Sequence, residues 1–310
     1  MNNIDRIHSI LEKSDINDTK NIWIDADAFN EVDDQFAIVH ALLADTVNSE
    51  VNLVGMSAAP FHNQARKTKN HGHGMELSYK EMERILNILD CGWRGELYKG
   101  SISTIEESTT DYIESDAAQF LCEIAMKNYS SKNPLYVLAL GALTNVASAL
   151  KINPGIKERI IICTLGGLAG QVHNFNDFNY KQDISAAESV FSSGAPIVHF
   201  PSLDSKLRML STTRWELEAN LLNKSSIGNF LYERYVEYID EFPGRSKVIW
   251  DLALVAWAIN NNWFTNKTVL TPIMDKNNAW LENCGPYPMK SINWLDRDKI
   301  FNHFFELVKS

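Results

Sequence analysis

The chain has 310 residues, 45% of them hydrophobic, and a formal net charge of −10; it can bury a sizeable core, as one large α/β domain or two smaller ones. The acidic balance and the absence of a long Lys/Arg block argue against a nucleic-acid partner. The N-terminal stretch MNNIDRIHSILEKSDIND has no apolar signal region, and no uncharged run reaches the roughly 20 residues of a spanning helix, so export and membrane insertion are disfavoured. Cys91, Cys122, Cys163 and Cys284 are widely spaced without a CxxC pair, which suggests reduced thiols in a cytoplasmic protein rather than a zinc site or a disulfide framework.

Along the chain, short β-branched runs alternate with stretches of helical period. NIWIDA precedes DDQFAIVHALLA, VNLVGMSAA precedes GMELSYKEMERILNIL, and PLYVLAL precedes LTNVASALK. RIIICTLGG then precedes DISAAESVFSSG, and PIVHF leads into several helical segments. The rhythm predicts an α/β fold, a largely parallel sheet with a mixed edge, covered by helices on both faces. Between them, the NHGHG stretch reads as a mobile Gly-rich loop. Residues 212–262 read as mainly helical, and TVLTPIMD to FNHFFELVKS as short strands and a closing helix. With no linker, repeat or low-complexity tract in view, residues 1–310 are expected to form a single domain, the part from 212 to 310 packed on the rest.

In open sheets of this kind, ligands collect beyond the carboxyl ends of the strands. In such a place, after the first predicted strand, stand Asp25, Asp27, Asp33 and Asp34. Carboxylates this close repel one another unless a cation, protons or strong donors compensate them, and a hard cation takes oxygen ligands. The plainer reading, helix caps on a solvated loop, suits Asp33 and Asp34. It does not suit Asp25 and Asp27, which end a strand whose preceding residues Ile22, Trp23 and Ile24 look like core. A divalent-metal site is therefore favoured. An Asp-x-Asp at a strand end also opens HAD-type phosphatases, with Asp25 then a Mg2+-assisted nucleophile; their pattern wants Thr or Val where this chain has Phe29.

The segment resembles the N-terminal metal motif of the inosine-uridine-preferring nucleoside hydrolase family, in which DxD is followed shortly by DD. Three further stretches agree in the same order over residues 22–256, which makes the match far more specific than one motif. LALGALTNVASAL resembles the family's LGPLTNIA, LGG…NDFNYKQDISAAESVF its GG…EFN…DPEAA, and VIWDLALVA the late helix whose Asp completes the metal shell. The resemblance implies a nucleoside-hydrolase-like Rossmann-type fold and hydrolysis of a ribonucleoside to ribose and free base, in nucleoside or modified-base salvage. It implies Ca2+ held by Asp27, Asp34, the backbone carbonyl of Thr144 and Asp251, with Asp27 also the base that takes a proton from water. Asp33 would accept a hydrogen bond from a ribose hydroxyl, Asp25 would buttress the loop, and Asp177 and Asn179 would grip the 5′ and 3′ side of the sugar, helped by Asn174. A homodimer or homotetramer is implied as well. The chemistry is coherent, because an oxocarbenium-like transition state is stabilised by nearby carboxylates.

The chain also departs from that pattern. The spacer AFNEV between DxD and DD is two residues longer than usual, and Asp177 stands where Glu is usual. SAAPFHNQ replaces a Gly-Asn after the second strand, with Asn63 a candidate substitute. Trp250 occupies the place of a His before the late Asp. An indole cannot protonate a leaving base but can stack on one; core packing beside Ile249, Leu252, Leu254 and Trp257 is an equal reading. His71 and His73 are candidates for the base side without a family counterpart. Gly166 and Gly167 suggest close backbone packing rather than a phosphate cradle. The base is thus open among purines, pyrimidines and modified bases such as a 7-deazapurine, and a non-catalytic nucleoside-binding protein of the same fold is the alternative function.

Overall fold

The computed structural model describes residues 2–168, 177–202, 206–239, 244–274 and 280–310. In chain order its strands are β1 (Lys20–Ala26), β2 (Val51–Ala58), β3 (Glu96–Lys99), β4 (Leu135–Ala139), β5 (Ile160–Leu165), β6 (Ile197–Phe200), β7 (Ser211–Thr213), β8 (Ser246–Val248), β9 (Phe264–Leu270), β10 (Ile273–Met274), β11 (Trp280–Leu281) and β12 (Pro288–Leu295). The helices are α1 (Asn3–Lys13), α2 (Asp33–Thr46), α3 (His71–Leu89), α4 (Asp116–Asn128), α5 (Thr144–Ile152), α6 (Phe178–Gln182), α7 (Ile184–Ser192), α8 (Arg214–Asn220), α9 (Ser226–Ile239), α10 (Leu252–Ile259) and α11 (Arg297–Lys309).

Eight strands form one sheet in the order β3-β2-β1-β4-β5-β6-β12-β9. All neighbours run parallel except β12 and β9, which pair antiparallel at one edge. This is the mixed-edge α/β architecture expected from the alternation. Strands β4 and β5 are buried along their whole length, which explains why they read as continuous apolar runs. Edge strand β9 exposes most of its residues and is correspondingly polar. The half-exposed β3 carries ELYK, too short and too charged to announce a strand.

Two apolar layers sandwich the sheet. One gathers Ile7 of α1, Phe36 of α2, Leu254 of α10 and Phe304 of α11; the other gathers Leu121 of α4, Val146 of α5 and Val190 of α7. Helix α2 is buried at every position from Asp33 to Ala44, so no amphipathic stripe marks it.

The NHGHG stretch is a correction to the expected loop. It forms the start of α3, where Asn70 caps the helix by accepting a hydrogen bond from the backbone N–H of His73. Gly74 is required by packing, because a Cβ there would lie 1.9 Å from the carbonyl oxygen of Phe61. The glycines let helix and loop approach closely; the sequence alone made them look like a source of mobility.

Strand order reverses between β1 and β4, with β2 and β3 on one side and β5 and β6 on the other. Such a switch point opens a crevice at the carboxyl ends of the strands. Phe36 fixes α2 against α11 through Phe304, with ring centroids 5.5 Å apart. Phe36→Ala is expected to lower unfolding free energy by about 3–5 kcal/mol, measured by urea denaturation; a loss below 1 kcal/mol would show that α2 is not seated by this contact.

Candidate active site

The segments that follow β1, β4, β5, β6 and β8 meet at that crevice. They line a cavity of about 150 Å³ with Asp27, Asn30, Glu31, Asp33, Asp34, Leu140, Leu165, Asp177, Phe178, Asn179, Ser202, Trp250 and Asp251.

Asp33 and Asp34 open α2, and Asp251 immediately precedes α10. These two helices pack on each other, which brings both N-termini, and their favourable field for anions, to one place. Ligand oxygens of Asp33, Asp34 and Asp251 all lie within 4.8 Å of one another. Burial first, and then the charges of neighbouring acids, Asp33 among them in each case, keep Asp27, Asp34 and Asp251 well above the usual carboxylate range. Asp27 Oδ2, Asp34 Oδ1 and Asp251 Oδ1 are buried with no hydrogen-bond partner among the described residues. Unspent carboxylate oxygens beside uncompensated charge suit a hard divalent cation. Asp27 lines the same cavity but stands outside the tight triad, whose third member is Asp33.

Sequence reasoning overlooked Lys247. It lies on β8, which pairs with β7 through Thr212. Its Nζ stands 2.7 Å from Glu31 Oε2 and 3.4 Å from Asp33 Oδ1, and donates to the carbonyl of Val248 at 2.8 Å. Burial alone would lower its pKa, but Asp33 and Glu31 outweigh that and hold the ammonium above its ordinary value. Asp33 Oδ2 also accepts the backbone N–H of Trp250 at 3.2 Å. Burial pushes the Asp33 carboxyl up to about 6 despite Lys247. The signals in the chain were small, one acid in the enlarged spacer and one lysine before an apolar helix.

On the opposite wall, Asp177 caps α6 by accepting the N–H of Tyr180 at 3.0 Å, and takes the Ser202 hydroxyl at 2.7 Å. Burial pushes its carboxyl up to about 6, against these donors. Gly166, at φ +149°, makes room: a Cβ there would lie 2.8 Å from Asp177 Oδ1. Asn179 spends its Nδ2 on the carbonyls of Leu140 (2.6 Å) and Leu165 (3.2 Å), which leaves its oxygen for a ligand. Trp250 both lines the cavity and packs on the apolar layer behind it.

Other candidates lie off the wall. Asp25 Oδ1 accepts Ser57 Oγ at 2.6 Å and Asn145 Nδ2 at 2.8 Å, and Asp25 is not part of the cavity lining. Thr144, buried at the start of α5, donates its hydroxyl to Asp183 at 2.8 Å. Asn63 bonds to Asn30 instead of facing the cavity. His71 pairs with Glu107 at 3.0 Å, and His73 Nδ1 accepts the backbone N–H of Lys69; neither reaches the wall. Asn174 lies outside the described residues.

Residues 22–279 match the family model described as inosine-uridine preferring nucleoside hydrolase. The chain is 37% identical over 102 residues to a probable uridine nucleosidase 2 of Oryza sativa subsp. japonica, covering 32% of this chain and 29% of the relative. It is 30% identical over 160 residues to the pyrimidine-specific ribonucleoside hydrolase RihA of Escherichia coli, covering 48% of this chain and 47% of that one. The matched stretches thus span less than half the length of these curated relatives. Among solved structures, the plant nucleoside hydrolase PpNRh1 superposes with a TM-score of 0.73 at 19% identity, over 94% of this chain and 99% of that one; this likeness establishes the fold.

Two outcomes follow for the site's electrostatics. Lys247→Met strands Asp33 and Glu31 without a counter-charge and is expected to cost about 3 kcal/mol, read by chemical denaturation; a neutral substitution would remove Lys247 from the charge balance. For Asp177, the folded pKa of about 6 lies above the ordinary aspartate value of 3.8, so between these values the native state holds a proton that the unfolded state has lost. Its contribution to stability therefore falls as pH rises from about 4 to about 6 and stays level above. The wild type is expected to lose stability relative to Asp177→Asn over that window, and a flat difference would refute the shift.

Proposed function

The chain belongs to the inosine-uridine preferring nucleoside hydrolase family, and from that premise we propose that it hydrolyses the N-glycosidic bond of a ribonucleoside, releasing ribose and free base with Ca2+ as its metal. The observation that carries this reading is a cavity in which Asp27, Asp34 and Asp251 keep buried, unpartnered oxygens across from Asp177 and Asn179. Asp27, Asp34 and Asp251, with the backbone carbonyl of Thr144, are the proposed ligands. When bound, the cation supplies positive charge that acidifies a neighbouring water and orients sugar hydroxyls.

The side chains do the rest. Asp27 takes the proton of the attacking water, its Oδ2 being unspent at the cavity wall. Asp33, held by Lys247 and the Trp250 N–H, accepts a hydrogen bond from a sugar hydroxyl. Asp177 and the oxygen of Asn179 hold the 5′ and 3′ side. As the bond to the base lengthens, positive charge grows on the sugar ring, and the surrounding carboxylates stabilise it without having to reorganise. Trp250 stacks on the departing base. Because an indole gives no proton, the pocket favours an electron-poor or modified base over one that needs strong acid assistance. We assign the reaction to nucleoside or modified-base salvage.

The test is a calcium-replete assay of reducing-sugar release across purine, pyrimidine and 7-deazapurine ribonucleosides. Turnover of one or a few members is expected, with Asp27→Ala slowed by about a thousandfold or more at an unchanged melting temperature. Undiminished turnover in Asp27→Ala would overturn its role as base. Tight nucleoside binding without release of sugar would instead identify a non-catalytic binding protein.

A further inference from the structure

Asn30 belongs to the enlarged spacer, is 95% buried by its 5% exposure, and lines the cavity. Its surroundings fix which end of its amide faces which way. The backbone N–H of Ala65 donates to Asn63 Oδ1 at 2.9 Å, so the other end of the Asn63 amide is the nitrogen, and that nitrogen donates to Asn30 Oδ1 at 2.8 Å. The Nδ2 of Asn30 is thereby turned away from Asn63 and meets no protein acceptor among the described residues. The backbone is clamped as well. Its N–H donates to the carbonyl of Asp27 at 2.7 Å, and its carbonyl accepts Arg66 Nε at 2.5 Å. The next residue, Glu31, is held by Lys247 and by the hydroxyl of Tyr238 at 3.1 Å, and the Arg66 guanidinium lies over the Tyr238 ring.

Asn30 is 5% exposed and lines the cavity, so an amide nitrogen without a protein acceptor, on a segment anchored from three sides, is held ready for an acceptor carried by a ligand. We propose that Asn30 is a specificity-determining residue whose Nδ2 donates to one hydroxyl of the substrate's sugar, with Asn63 its positioning residue. The proposal rests on the ribonucleoside reading of the cavity. Neither residue is named by that reading as a metal ligand or a base, and the wall they build exists because the spacer is long enough to reach from Asp27 to the loop after β2.

The experiment compares wild type, Asn30→Ala, Asn30→Asp, Asn63→Ala and the double alanine variant on ribonucleosides and their 2′-, 3′- and 5′-deoxy analogues. Asn30→Asp preserves the bond from Asn63 and removes the donor, so it reports even if the alanine variant folds poorly. Asn30→Ala and Asn30→Asp are expected to lose about tenfold or more in kcat/KM on ribonucleosides, and markedly less on the one analogue lacking the contacted hydroxyl. Asn63→Ala should show the same analogue dependence, and the double variant should be no worse than Asn30→Ala. An equal loss across all sugars, no loss at all, or additive losses in the double variant would overturn the proposal. Calorimetric titration of the same calcium-loaded variants with D-ribose reads the contact without turnover. Weaker ribose binding in the Asn30 variants supports it even if the wild type hydrolyses nothing, and unchanged ribose binding rejects it; absence of wild-type hydrolysis by itself counts only against the enzymatic reading.

Discussion

Six acidic side chains, Asp27, Glu31, Asp33, Asp34, Asp177 and Asp251, face one cavity, and the arrangement around them follows from the cost of that crowding. An ionised carboxylate taken out of water needs a counter-charge, a donor or a proton. The fold meets the demand unevenly. Asp177 receives two hydrogen bonds, Glu31 receives Lys247 and Tyr238, and Asp33 receives Lys247 and a backbone N–H. Asp27, Asp34 and Asp251 receive little beyond the fields of two helix N-termini. The uncompensated part of the cluster is the part to which metal binding and proton abstraction are assigned.

The sheet makes this crowding mechanically possible. Strands β4 and β5, buried throughout, and helix α2, buried from its first residue, give the loops rigid bases from which to converge. Sites built at the ends of regular elements hold their geometry better than sites built within long loops. The N-termini of α2 and α10 are brought together by packing behind the site, so stability and charge placement draw on the same contacts. That coupling explains why apolar residues such as Phe36 and Leu254 bear on the site even though neither lines the cavity.

The enlarged spacer supplies Asn30 and Glu31 to the cavity wall. A short turn would carry the chain from Asp27 to Asp33 without touching anything else. Here the added residues extend far enough for Asn30 to meet Asn63 and Arg66, and for Glu31 to meet Lys247 and Tyr238. Contacts to four other side chains replace what a tight turn would achieve by backbone restriction. Trp250, beyond this wall, sits between cavity and core, and so joins the cavity lining to the packing behind it.

The alternation of strands and helices, the mixed edge, and the acids after β1 were legible in the chain because periodicity and local charge density are properties of neighbouring residues. Asp251, Asp177 and Asn179 were reachable through the motif resemblance, since each lies in a short stretch of recognisable order. The helical start of α3 was misread, because His-Gly-His-Gly has poor intrinsic helix propensity and only the approach of Phe61 requires a glycine there. Lys247, Glu31 and Asn30 were invisible for a different reason. Lys247 and Asp33 are 214 residues apart in the chain, and a lone lysine or asparagine carries no mark of which distant segment it will meet. The sequence by itself thus determined the architecture and the acidic groups available to the site. Only the tertiary structure decided which of those acids are neutralised, which remain free, and which amide faces the cavity, because burial and counter-charge depend on what the folded chain places beside each group.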